Sequence, residues 1–148
     1  MVLLLWIILK ITDMDYIGLV KQFHQKFGHP VSENIGIPTK ELCKLRLDLL
    51  KEELRELEEA IEENDIVKAA DAFADLQYVL SGAILVFGLH DKFSTIFQEV
   101  QNSNMSKLGR DGKPIYREDG KILKGPDYFS PNIEGILLGT HVPINHLL

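Results

Sequence analysis

The chain has 148 residues, 45% of them hydrophobic and 26% charged, which suits one globular domain with a substantial core. A net charge of -6 argues against a protein that coats nucleic acid, because such proteins carry basic patches. Cys43 is the only cysteine; it excludes an internal disulfide and is compatible with a reducing cytoplasm, the expected location.

The first segment, "MVLLLWIILK", is apolar from Val2 to Leu9. That run is too short to span a bilayer and lacks the basic region and cleavage site of a signal peptide. Residues 1–13 are therefore read as a hydrophobic N-terminal extension, without an assigned function, and no membrane association is expected. From Met14, the residues Tyr16, Ile17, Val20, Phe23 and Phe27 recur at steps of three and four, the stripe of an amphipathic helix. Gly28, Pro30, Gly36 and Pro38 then mark a loop.

Thr39 is placed to cap a second helix. Leu47, Leu50, Leu54, Leu57 and Ile61 follow at helical steps. Asn64 and Asp65 form the next turn, and Asp65 can cap a third helix running from about Ile66 to Phe87. This helix is apolar almost all round, as expected of the buried centre of a bundle. Gly88 can end it and Asp91 can cap the next. A fourth helix carries Phe93, Phe97 and Val100 on one stripe, which turns polar at Asn104 and Lys107, and Gly109 closes it. Beyond it, "KPIYR" and "KILK" flank "EDG", the pattern of a small β-hairpin with an Asp-Gly turn. The remainder is expected to drape over the surface. The expected fold is all-α: an antiparallel four-helix bundle with a small C-terminal β-hairpin appendage. Residues 14–109 would form the helical domain, and 110–148 a hairpin and tail completing it.

The chemistry sits in the carboxylates. Glu53 and Glu56 are three apart and border the apolar stripe of helix two, whereas Glu52, Glu59 and Glu63 point away from it. On helix three, Asp71 and Asp75 share a face with Tyr78 and Gly82, and the missing side chain at Gly82 leaves room for a close approach. If the two helices pack antiparallel, Glu53 and Glu56 face Asp71 and Asp75. Four facing carboxylates repel unless a cation lies among them, and an all-oxygen set suits Mg²⁺ or Mn²⁺. The plainer alternatives are a solvated face for the glutamates and structural ion pairs for the aspartates. His24, near the apolar face of helix one, is read as a hydrogen-bonded structural histidine, with base recognition as the alternative.

"LLKEELRELEEAI" followed by "VKAADAFADLQYVLSGAILVFGL" resembles the all-α NTP pyrophosphohydrolases. These are the MazG-like group, which includes dimeric dUTPases and phosphoribosyl-ATP pyrophosphohydrolases. The matching residues are Glu52, Glu53 and Glu56, then Asp71 and Asp75, then Tyr78, Val79 and Gly82. Many members have Glu three residues before the final Asp. Here that position is Ala72, and Asp71 beside it is the available substitute.

The resemblance implies hydrolysis of a nucleoside triphosphate to monophosphate and pyrophosphate, with Mg²⁺ (or Mn²⁺) held by Glu53, Glu56, Asp71 and Asp75. Glu52 or Glu53 would orient the attacking water or take its proton. Tyr78, Asn104, Lys107, Lys113 and Lys124 are the implied substrate contacts. A homodimer or homotetramer and a role in nucleotide-pool cleansing are also implied. Two alternatives stand beside this reading: a phosphoribosyl-ATP pyrophosphohydrolase, and a non-catalytic helical oligomer whose acidic face binds metal or a partner.

Overall fold

The computed structural model describes residues 14–143, and the N-terminal extension lies outside them. Five helices follow one another: α1 (Tyr16–Phe27), α2 (Lys40–Glu62), α3 (Ile66–Val86), α4 (Phe93–Met105) and α5 (Ile133–Leu138). The chain divides into two compact units, one through His90 and the other from Asp91 onward.

The first unit is built on the α2/α3 hairpin, with α1 packed on α3. Each helix starts where a side chain satisfies the free N–H groups of the first turn. Asp15 accepts from the Gly18 N–H, Thr39 from Leu42, and Asp65 from both Val67 and Lys68. Asn64 takes a positive φ of 53° to make the tight turn between α2 and α3, a conformation that asparagine tolerates better than most residues. Leu57, Ala60, Ala69 and Ala72 pack at the centre of the hairpin. The small alanines let the two backbones come close.

The loop after α1 closes over the end of α3. The Ser32 N–H donates to the Leu85 carbonyl at 3.0 Å, and the Gly36 N–H to the Phe87 carbonyl at 3.2 Å. The loop thus adds a donor to each of these carbonyls, Leu85 also accepting from the Gly88 N–H at 3.1 Å.

The expected burial of α3 holds on one side only. Leu85 is fully buried, with Ile84 and Val86 beside it, yet Ile66, Phe73 and Leu80 are exposed. The reason is geometric: α1 and α2 cover two sides of a helix that is apolar on all. By length and composition alone α3 could cross a membrane, but its central face carries Asp71 and Asp75.

In the second unit, α4 begins at Phe93, with Lys92 rather than Asp91 in the cap position, and ends at Met105 rather than near Gly109. The Lys92 ammonium donates to the Ile136 carbonyl at 2.8 Å. The expected β-hairpin does not form: among the described residues there is no strand, and a single antiparallel bridge joins Tyr116 and Ile122. The Asp119–Gly120 turn is present, with Gly120 at φ 80°. The arms around it are exposed throughout, and Pro114 has no N–H to donate. Two short arms with nothing to pack on do not extend a ladder. The six-residue α5 lies where a draped tail was expected.

Glu99 ties this unit together. Its carboxylate accepts from the Asn132 N–H at 2.9 Å and contacts His141 Nε2 at 3.0 Å, and Glu99 is buried. The Asn132 hydrogen bond, with His141 in support, holds the Glu99 carboxyl below its ordinary range. A depressed folded-state pKa gives stability that is complete above the unfolded value and is lost as pH falls through the folded one. Acid titration followed by circular dichroism is therefore expected to show this unit loosening below about pH 4. Glu99→Gln should flatten that acid limb and cost about 1–3 kcal/mol at neutral pH.

Candidate active site

The α2/α3 hairpin has two faces, set by its helical repeat. One carries Glu52, Glu53, Glu56, Asp71 and Asp75. Glu53 reaches furthest inward: its residue is half-buried, and its Oε2 is buried with no hydrogen-bond partner. Burial pushes its carboxyl above the ordinary range. Asp75 adds most to that among the neighbours, followed by Glu56, Glu52 and Asp71. All the acids expected to act together thus bear on one carboxylate. Glu52, Glu56, Asp71 and Asp75 are themselves exposed.

Ala72 holds the position where many members carry Glu. It is buried against Leu57, Ala60 and Ala69, where an acid would have to be desolvated inside the hairpin. Asp71, one residue earlier, faces a pocket of about 290 Å³ shared with Glu56, Glu59, Glu63, Arg55 and Lys68. Lys68 pairs with Glu63 rather than with Asp71, so the aspartates keep no basic partner from that source.

A divalent cation suits this donor set. It is all hard oxygen, and one buried oxygen lacks a partner. Among the described residues no three His, Cys, Asp or Glu side chains are grouped closely enough to hold a metal ion, so the four expected ligands share a face without being gathered into a coordination set.

Gly82 is where the close approach occurs, and the approaching groups are side chains of the same unit. A Cβ at Gly82 would lie 3.0 Å from His24 Nε2 and 3.1 Å from Arg46 Nη1. His24 and Arg46 are both buried. His24 Nδ1 lies 2.8 Å from the Pro30 carbonyl, which can only accept, so Nδ1 carries the proton. Burial lowers the His24 pKa more than this hydrogen bond raises it, with Arg46 and His29 adding to the fall. The Arg46 Nε is buried without a partner. Arg46 was not among the residues expected at the site. Its spacing to Leu50, Glu53 and Leu57 is the signal: it sits on the inward stripe of α2. Tyr78, one turn before Gly82, is 41% exposed and meets Phe23 edge-on at 5.6 Å.

The other expected substrate contacts lie in the second unit. The Lys107 ammonium donates to Asn104 Oδ1 at 2.8 Å. Lys124 lies over the Tyr128 ring at 4.2 Å. Lys113 is exposed in the loop after Gly109.

This helical hairpin, with its acidic face, is that of an all-α NTP pyrophosphohydrolase, a superfamily of hydrolases acting on pyrophosphate bonds. Within it, the chain belongs to the phosphoribosyl-ATP pyrophosphohydrolase family, whose model matches residues 20–104. Pyrophosphohydrolases of this kind generally use divalent metal ions. An uncharacterized protein of Acanthamoeba polyphaga mimivirus is 32% identical over 122 residues, covering 78% of this chain and 47% of that protein. The chain thus spans about half the length of this curated relative. A candidate NTP pyrophosphohydrolase from Exiguobacterium sp. 255-15 is 26% identical, over 86% of this chain and 94% of that one, with a TM-score of 0.46.

Proposed function

We propose that the chain is a Mg²⁺-dependent nucleoside triphosphate pyrophosphohydrolase that releases pyrophosphate and leaves the monophosphate. The observation that carries this reading is the buried, unpartnered Oε2 of Glu53, surrounded by four further carboxylates that push its pKa up. Such a group is costly unless a cation completes it. Glu53, Glu56, Asp71 and Asp75 would hold Mg²⁺, or Mn²⁺ in its place. Bound there, the metal would neutralise phosphate charge and make a nearby water more acidic. Glu52 or Glu53 would orient that water. Phosphoryl chemistry of this sort needs positioning and charge more than a covalent intermediate.

The test is a panel of ribo- and deoxyribonucleoside triphosphates with Mg²⁺, read as pyrophosphate against orthophosphate. Pyrophosphate release from at least one nucleotide is expected. A second reading, phosphoribosyl-ATP hydrolysis, is favoured by the family match over residues 20–104. Turnover of phosphoribosyl-ATP alone would select it. Silence across both would end the enzymatic reading.

The active form is proposed to be a homo-oligomer, with a second copy on the other face of the hairpin. Leu47, Leu54 and Ile61 on α2 and Ile66, Phe73 and Leu80 on α3 are all exposed. Within each helix they are seven residues apart. Positions equidistant from the turn fall level: Ile61 with Ile66, Leu54 with Phe73, Leu47 with Leu80. A seven-residue apolar ladder is the seam that other helices fill. An antiparallel pair of such ladders can meet its own copy across a two-fold axis. Phe73→Glu is expected to convert the oligomer to monomer in sedimentation at micromolar concentration. An unchanged mass would remove this face from the assembly.

A further inference from the structure

The charged layer around Gly82 is not used by the metal chemistry. Arg46 and Glu53 are seven residues apart on α2, and Gly82 and Asp75 are seven apart on α3. The Arg46–Gly82 layer therefore lies two turns, about 10 Å, along the hairpin from the Glu53–Asp75 layer. That is about the distance between the phosphates of a nucleotide and the far edge of its base.

The layer offers one donor and one acceptor side by side. Arg46 brings N–H groups only. Arg46 is 6% exposed, no acidic partner offsets it among the described residues, and its Nε is buried with no acceptor. His24 is 3% exposed. Its Nδ1 proton is given to the Pro30 carbonyl, which leaves Nε2 as a lone-pair acceptor. His24 Nε2 and Arg46 Nη1 both pack against the Gly82 backbone, where an added Cβ would meet them at 3.0 and 3.1 Å, so glycine is what lets the two heads stand side by side there. Tyr78, on the same face of α3 and partly exposed, supplies an aromatic surface braced by Phe23.

We propose that Arg46 and His24 read the lactam edge of a nucleobase, where a ring N–H stands beside a carbonyl, with Tyr78 stacking on its plane. The base carbonyl accepts from Arg46 and the ring N–H donates to His24 Nε2. Uracil, thymine, guanine and hypoxanthine carry that edge. Adenine and cytosine present an amino group beside a bare ring nitrogen, the reverse pattern, which would set donor against donor and acceptor against acceptor. Mismatched buried polar groups are the strongest source of such discrimination. This inference rests on the nucleotide reading above and assigns its substrate class.

The test measures base reading without turnover. Calorimetry compares IMP with AMP, and UMP with CMP, on the full chain with saturating Mg²⁺, these monophosphates having no pyrophosphate to release. The oxo member of each pair is expected to bind at least about tenfold more tightly. Arg46→Met should collapse both ratios towards one. It should not lower the melting temperature, because it replaces an unpartnered buried charge by an apolar chain of similar length. Equal binding within each pair, preference for the amino member, or no binding at millimolar concentration would overturn the proposal. So would a melting temperature lowered by Arg46→Met with the ratios intact, the signature of a merely structural arginine. The reaction is judged separately, by pyrophosphate release. A hydrolase indifferent to the base would sink this inference and leave the reaction standing.

Discussion

Glu53→Gln is expected to reduce pyrophosphate release by about a thousandfold or more, and in the metal-free protein to raise the melting temperature by about 2–4 °C. The two effects have one cause. Glu53 carries a buried, unpartnered oxygen, and its carboxyl is pushed up by burial, then by Asp75, Glu56, Glu52 and Asp71. An acid whose folded-state pKa lies above its unfolded value binds more protons when folded. It therefore destabilises the fold progressively as pH rises from the unfolded value through the folded one. Glutamine removes that charge and the pH dependence with it. Mg²⁺ should reverse the order, because a ligand bound by the native wild type stabilises it by mass action and the variant gains less. Differential scanning fluorimetry with and without Mg²⁺, beside the activity assay, separates the possibilities. A glutamate that merely faces solvent would leave all three readings unchanged. Asp75→Asn should follow Glu53→Gln in direction, since Asp75 is the largest electrostatic neighbour of Glu53.

The helices of the first unit were legible because each rule involved is local. Thr39 and Asp65 cap where expected, and the apolar steps of α2 and α3 set their lengths. Grouping Glu53 with Asp75 needed only the assumption that neighbouring helices run antiparallel. Arg46 was not legible as a site residue. An arginine on an inward stripe is ordinarily assigned to the helix rim, and its burial depends on Gly82 and His24 meeting it from two other helices. The exposed side of α3 was also hidden: an all-apolar helix announces that every face needs cover, not whether one chain supplies it. In the second unit, the Asp-Gly turn was readable and the strands were not, because strand formation depends on a packing surface that no local pattern encodes. The short α5 depends on Asn132, which caps it and, through its own N–H, reaches Glu99 33 residues away.

Gly88→Ala is expected to be among the most destabilising single changes in the first unit, and a second glycine shows why. Gly28 and Gly88 both take positive φ values just after a helix, 72° and 69° respectively. Alanine at either position pays the left-handed strain, about 1–2 kcal/mol. At Gly28 nothing lies within 4 Å of an added Cβ, so that strain is the whole effect. At Gly88 the Cβ would stand 2.2 Å from the Asn34 carbonyl oxygen and 2.6 Å from its carbon. Those atoms are backbone and cannot rotate aside. They also belong to the loop whose Ser32 and Gly36 N–H groups cap α3. Relieving the clash means lifting that loop, which removes the loop's donors from the Leu85 and Phe87 carbonyls and disturbs Pro30, the acceptor that orients His24. Gly88→Ala should therefore cost at least about 3 kcal/mol, against about 1–2 kcal/mol for Gly28→Ala. Urea unfolding of the two variants measures the difference directly. If Gly88→Ala unfolds like Gly28→Ala, the loop yields freely and does not hold the His24–Arg46 layer in place. If the gap appears, the loop is a rigid part of the wall on which the proposed base edge is read.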